Sequence, residues 1–414
     1  MDADLIVEHA DQLLAVEGAA PRCGPGQGRV TTVRDGAVAS LAGRIVFAGP
    51  TSEGQATVTR LPGATVIDAK GCTVVPGFVD PHTHVVFAGD RRGELQRRLA
   101  GATYAEIAAS GGGIVSTVDA TRRASQPALV EQSLPRLGEM LRCGTTTCEV
   151  KSGYGLDLDA EIRMLRAVGD LRACQPIDLV ATFLGAHEIP PEYRARRREY
   201  VDQVVHRMIP RIADEGLATW CDVFCETGVF TPDESEEILR AGLARGLGAR
   251  IHADELGPSG GSLVAARVGA RSADHLVFVP PEGIAAMAST GVVATLLPAA
   301  SFYLKLGRFA PARALIAAGV PVALATDVNP GGGLSPSMPF VMALGCFAMD
   351  LTLEEALVGA TINAAYAIDR HRDVGSLEPG KRMDAVVVGG TLVDLLRVGA
   401  PAIRQVIARG QVVA

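Results

Sequence analysis

Two histidines one residue apart, His82 and His84, end the stretch Val75-Pro76-Gly77-Phe78-Val79-Asp80-Pro81-His82-Thr83-His84. The apolar, β-branched opening predicts a buried strand. Alternate side chains of extended backbone share a face, so both imidazoles point the same way and can bind one metal ion. Taken alone, the pair is equally a strand end carrying two surface histidines. Other residues bear on the choice. Three further histidines, His187, His252 and His275, and one aspartate, Asp327, each follow or end an apolar run. Singly, each has a bland reading: His187 as a packing residue, Asp327 as a helix cap, Glu255 as a solvated acid, and His252 is ambiguous. Together, the two alternating histidines, a mid-chain histidine and a late aspartate supply three imidazoles and one carboxylate, a donor set that suits Zn²⁺ or iron. Lys151 can be read as a carboxylated, metal-bridging lysine, but it falls on the second candidate strand and the fourth has no lysine. One metal per chain is therefore expected rather than two.

The elements that must position these residues follow a regular order. After residue 74 the chain alternates strand and helix patterns. The opening stretch is followed by seven more candidate strands: 146–150, 178–184, 220–225, 249–253, 272–276, 291–296 and 321–327. Helical patterns lie between them. The segment 128–141 has apolar residues at helical spacing, Asp157 stands at an N-cap position, and Thr231-Pro232-Asp233-Glu234 opens a helix with a cap, a first-turn proline and acids. Eight alternating strands predict an α/β fold, a (β/α)8 TIM-type barrel, whose site lies at the C-terminal strand ends. An open doubly wound sheet is the runner-up, but no Gly-x-Gly-x-x-Gly follows a strand. The first 73 residues and residues 373–414 show short β patterns with glycine turns. They predict a small β-sandwich-like domain built from both chain ends, flanking a barrel of residues 74–372.

The bulk properties narrow the function. The chain has 414 residues, 48% of them hydrophobic, and a mean hydropathy of +0.23, as expected for a soluble protein with a large core. A formal net charge of -7 argues against a general nucleic-acid binder. No run reaches transmembrane length and the acidic start, Met1-Asp2-Ala3-Asp4, is not a signal peptide, so no membrane partner and a cytoplasmic location are expected. The eight scattered cysteines, Cys221 and Cys225 among them, are read as buried thiols.

The set His82-Thr83-His84, His252, His275 and Asp327 resembles the amidohydrolase superfamily. Glu149-Val150-Lys151-Ser152-Gly153-Tyr154-Gly155, Phe183-Leu184-Gly185-Ala186-His187, His252-Ala253-Asp254-Glu255 and Gly111-Gly112-Gly113-Ile114 narrow the resemblance to its imidazolonepropionase family, over essentially the whole chain. The resemblance implies hydrolysis of 4-imidazolone-5-propanoate to N-formimidoyl-L-glutamate in histidine degradation, with one Zn²⁺ or iron ion (Fe²⁺ or Fe³⁺) per chain and a homodimer. The metal ligands it implies are His82, His84, His252 and Asp327. Substrate contacts map onto Arg91, Tyr154, His187, Glu255, Asn329 and Gly331, with Gly332 beside them. Glu255 is then the proton shuttle and His275 orients the water. Arg91 binds the propionate, although without the resemblance it reads as a surface arginine beside Arg92, Arg97 and Arg98. His187 binds the ring or stabilises negative charge on its carbonyl oxygen. The family usually has a serine or threonine after Asn329-Pro330-Gly331. Here Gly332 and Gly333 follow, so the hydroxyl's hydrogen bond to substrate is missing or a backbone N–H replaces it. The nearest competing function is a single-metal nucleobase or aminoimidazole deaminase, which would release ammonia. A non-catalytic scaffold would have lost its ligands, and a phosphate-binding barrel has only Gly331-Gly332-Gly333 to offer.

Overall fold

Gly77 is where the chain crosses from one sheet into another. The computed structural model describes residues 1–102, 106 and 112–414; of the Gly111-Gly112-Gly113-Ile114 stretch that narrows the resemblance, Gly111 lies outside the described residues. Five strands precede the crossing: β1 (Asp2–Leu14), β2 (Thr32–Leu41), β3 (Arg44–Pro50), β4 (Thr59–Asp68) and β5 (Cys72–Pro76). The next eight form the barrel: β6 (Phe78–Asp80), β7 (Thr145–Lys151), β8 (Asp178–Ala186), β9 (Trp220–Cys225), β10 (Gly248–Ala253), β11 (Ser272–His275), β12 (Val293–Leu296) and β13 (Val322–Leu324). Three more return to the first sheet: β14 (Ala385–Gly389), β15 (Ile403–Ala408) and β16 (Gln411–Val412).

The single strand expected from Val75 into the histidine pair is therefore two strands in two sheets. β5 pairs with β1 and β14, whereas β6 pairs with β7. Gly77 makes the passage possible. Its N–H donates to the Asp384 carbonyl at 2.9 Å, and a Cβ at this position would lie 2.3 Å from Thr146 Oγ1. His82 and His84 follow the strand end and do not belong to it. Likewise β13 stops at Leu324, so Asp327 sits in the exit loop at φ +53° and not at the end of the expected strand.

Each barrel strand is parallel to its neighbour in chain order, from β6 through β13. The open doubly wound alternative is excluded, because exit loops stitch the last strand back to the first. Thr326 N–H donates to Asp80 Oδ1 at 3.1 Å. Beyond the strands, Asp327 N–H reaches the His82 carbonyl at 3.1 Å and His84 N–H reaches the Val328 carbonyl at 2.9 Å. This seam brings His82 and His84 beside an aspartate some 240 positions later in the chain. The expected helix starts hold: Asp157 accepts from Ala160 N–H, and Thr231 and Glu234 form a reciprocal capping box. The helix expected from Ala128 begins two residues earlier, at Gln126 behind the Ser125 cap.

The second sheet joins the chain ends. β1 pairs along its length with β2, and its other edge is shared by β4 and β5. The core beneath it mixes Leu5, Leu13 and Val38 with Leu377, Met383 and Ile407. The two termini are thus held by apolar burial that neither could achieve alone.

The barrel interior departs from the usual layers of branched aliphatic side chains. Glu149, Lys151, Asp222, Arg250 and Asp274 all point inward and are fully buried. Charges in such a place survive only when paired and hydrogen-bonded.

Candidate active site

Asp274 and Asp222 decide how two of the clustered histidines carry their protons. Asp274 Oδ2 lies 2.6 Å from His82 Nδ1, and Asp222 Oδ1 lies 3.2 Å from His252 Nδ1. A carboxylate only accepts, so each Nδ1 bears the hydrogen and each Nε2 is left as a lone pair. Those lone pairs converge. His84 Nε2 lies 3.3 Å from His82 Nε2 and 3.5 Å from His252 Nε2. Asp327 Oδ1 stands 3.7 Å from His82 Nε2 and 3.6 Å from His84 Nε2. Donors about 2.0–2.2 Å from a tetrahedral ion are roughly 3.3–3.6 Å apart. The spacing therefore fits one ion in the middle. Burial, with neighbouring cationic groups, holds His82 and His84 well below the usual histidine range, so both stay neutral. Burial also pushes the Asp327 carboxyl up to about 7. Lone pairs and a carboxylate buried face to face are costly until a cation joins them.

Around this cluster lies a cavity of about 170 Å³ whose walls include Arg91, Tyr154, His187, Glu255, His275 and Asn329. Tyr154 is placed by Glu161, a residue to which no sequence motif assigns a role. The buried Glu161 carboxylate accepts N–H groups of Gly153 at 3.0 Å, Gly155 at 2.8 Å and Leu156 at 2.9 Å, and so shapes the loop that carries the tyrosine. His187 stacks on His84 with ring centroids 5.0 Å apart. Its Nδ1 lies 3.0 Å from the Gly153 carbonyl. A carbonyl only accepts, so Nδ1 is protonated; burial lowers the imidazole pKa to about 3, and the ring stays neutral. Its Nε2 is then an acceptor.

Glu255 lies 3.4 Å from His275 Nδ1 at its nearer oxygen, and its carboxyl is raised well above the usual range by burial, reinforced by Asp327 and Glu226. Asp254, His275, Leu276 and Asp327 all have φ between +52° and +75°. Such backbone is uncommon outside glycine, and these four residues lie where strands leave the barrel.

Arg91 is clamped by Glu94, with Nε and NH2 2.9 and 2.8 Å from Oε2, while Glu94 Oε1 takes the Gly113 N–H at 2.8 Å. Gly331 lies behind this guanidinium: a Cβ there would be 2.3 Å from Arg91 NH1. Asn329 is largely engaged in shaping its own loop. Its Oδ1 accepts from Gly331 and Gly332 N–H at 2.8 and 2.6 Å, and its Nδ2 donates to the Asp327 carbonyl at 2.7 Å. Gly333, the second glycine after Gly331, has a local cause. A Cβ at Gly333 would lie 1.7 Å from the Asp327 carbonyl oxygen, so the turn that carries the aspartate admits only glycine there. The Gly332 N–H, the candidate replacement for the hydroxyl, already serves Asn329.

Lys151 is engaged as a cation between two carboxylates. Its Nζ lies 2.8 Å from Glu149 Oε1 and 2.7 Å from Asp222 Oδ2. Burial alone would lower its pKa, but the two carboxylates outweigh this and hold it above the ordinary lysine value. All eight cysteines are free, with Cys221 and Cys225 buried on β9.

Comparison with known proteins accords with this geometry. Residues 73–413 match the amidohydrolase family. An imidazolonepropionase of Geobacillus kaustophilus is 51% identical over 386 residues, covering 92% of this chain and 91% of the relative. One from Symbiobacterium thermophilum is 50% identical, covering 93% and 91%. One from Chloroflexus aggregans is 44% identical over 422 residues, covering 99% and 98%. Among solved structures, a zinc-bound adenosine deaminase from Xanthomonas campestris shares the fold at a TM-score of 0.73 and 19% identity, covering 99% of this chain and 93% of that one. Guanine deaminase from E. coli does so at 0.70 and 17%, covering 99% and 98%. The chain belongs to the amidohydrolase family and, within it, to the imidazolonepropionases.

Proposed function

We propose that this chain opens the ring of 4-imidazolone-5-propanoate by hydrolysing its lactam C–N bond, giving N-formimidoyl-L-glutamate. The observation that carries the reading is the convergence of three imidazole Nε2 atoms and Asp327 in a cavity that Arg91 also lines. His82, His84, His252 and Asp327 would hold one Zn²⁺ or iron ion. When bound, such an ion acts as a Lewis acid and makes water a competent nucleophile near neutral pH.

The remaining work falls to side chains. Arg91 receives the substrate carboxylate, its planar fork oriented by Glu94. His187 Nε2 accepts a ring N–H. His275 orients the attacking water. Glu255 takes the water proton as oxygen adds to the ring carbonyl carbon, then delivers it to the ring nitrogen as the C–N bond breaks. Tyr154, Asn329 and Gly332 line the same cavity, and Gly331 packs behind the Arg91 guanidinium. The test is incubation with 4-imidazolone-5-propanoate, following loss of its ultraviolet absorbance together with an ammonia assay. Ring opening without ammonia supports the reading; ammonia release or an unchanged substrate overturns it.

Arg91→Ala should raise KM about 10- to 100-fold with little change in kcat, because a charge-assisted hydrogen bond to the carboxylate stabilises ground and transition states alike. An unchanged KM would place the carboxylate elsewhere. The barrel, 74–372, and the composite β unit, 1–73 with 373–414, are read as two domains. The chain is read as a cytoplasmic homodimer. The eight free thiols are in keeping with the compartment. Phe347 and Phe302, 80% and 49% exposed, are in keeping with the dimer, which sedimentation velocity tests directly.

A further inference from the structure

The buried charges inside the barrel are not spent on packing alone. Lys151 stands between the two carboxylates that orient metal-site imidazoles: 2.7 Å from Asp222 Oδ2, which serves His252, and 3.9 Å from Asp274 Oδ2, which serves His82. Asp274 has other partners to hold it. Ser272 Oγ donates to it at 2.6 Å and Arg250 NH2 at 3.0 Å, and the same NH2 donates to the Pro81 carbonyl at 2.7 Å. Asp222 has fewer among the described residues: besides His252 it takes its cation from Lys151 and an N–H from the adjacent Val223, at 2.7 Å. Lys151 is in turn anchored by Glu149, whose other oxygen accepts the Thr83 N–H at 3.2 Å, between the two histidines. The lysine thus links the backbone of the first histidine pair to the carboxylate behind the third histidine.

We propose that Lys151 is a positioning residue of the metal centre: its ammonium fixes Asp222 against His252 Nδ1, so that the His252 lone pair is held toward His82, His84 and Asp327. The proposal rests on the metal-site reading above and deepens it. Without the lysine, Asp222 loses the partner of its Oδ2 and the carboxylate is free to turn from His252 Nδ1, which releases the His252 ring from one tautomer and one orientation. Loss of such outer partners typically costs 10- to 100-fold in metal affinity.

Zinc affinity is measured by competition with a chelating dye on the full chain, alongside the melting temperature of the metal-free form and the ¹⁵N signals of the His252 ring. Lys151→Met leaves three buried carboxylates against one cation and can fail by misfolding. The second variant, Lys151→Met with Glu149→Gln, removes one charge of each sign. It is expected to melt within a few degrees of the parent when metal-free, to bind zinc 10- to 100-fold more weakly, and to lose the single Nδ1–H tautomer of His252. Parental zinc affinity in the double variant overturns the proposal. So does its failure to fold, which would make the lysine a requirement of the barrel itself. A parent chain that binds no zinc or iron overturns the metal reading instead, and the two failures are thereby distinguished.

Discussion

Glu255→Gln is expected to retain the metal and lose turnover by about 10²–10⁴-fold, the range spanned by a positioned general acid or base. The substitution is nearly isosteric, and Glu255 is not one of the four donors that converge on the site. What disappears is a group that can accept a proton and return it. Its surroundings suit that task. It is buried at the cavity wall 3.4 Å from His275, and burial, with the Asp327 and Glu226 charges, raises its carboxyl well above the usual range. A bound cation draws the pKa the other way. The shuttle must begin ionised, so kcat/KM rises with pH through the pKa that this balance sets and falls away below it. The residual activity of the Gln variant should lack that acid limb. Near-parental kcat with the acid limb intact would remove Glu255 from the proton path.

The residues at strand exits were legible in the chain because their types are rare there. Five of eight histidines fall at the ends of barrel strands or just beyond them, and the structure brings all five together. The strand ends themselves were less so. Val75-Pro76 and Phe78-Val79-Asp80 form one apolar run, yet the packing of Gly77 against Thr146 and Asp384 divides it between two sheets. No local pattern records a neighbour some 300 residues away. The carboxylates behind the histidines do leave a local signal. Glu149 and Lys151 are two apart, so they share a strand face, and Asp222 interrupts an otherwise apolar strand. A charge on the inward face of a buried strand needs a partner, and the partners here are one another. Glu161 could not be read this way: on an amphipathic helix it looks like one more first-turn acid, and only the loop folded over it gives it three N–H groups to hold.

Stripping the metal with a chelator should abolish turnover and also loosen the barrel, because the four donors come from far-separated parts of the chain. His82 and His84 follow β6, His252 lies on β10, and Asp327 follows β13. An ion that binds only the folded chain stabilises it by about 4 kcal/mol when its free concentration is a thousand times its dissociation constant. The metal-free protein should therefore melt several degrees lower while keeping its far-ultraviolet circular dichroism, since β6 and β13 remain stitched through Asp80 and Thr326 and through the His82 and His84 backbone. Returning one equivalent of Zn²⁺ or Fe²⁺ per chain should restore both melting temperature and activity, and the ion that restores more turnover identifies the working metal. Full activity after exhaustive chelation, with metal verified absent by elemental analysis, would detach the reaction from these four donors. A requirement for two equivalents would overturn the single-ion reading, and Lys151, held as an ammonium by Glu149 and Asp222, argues against that outcome.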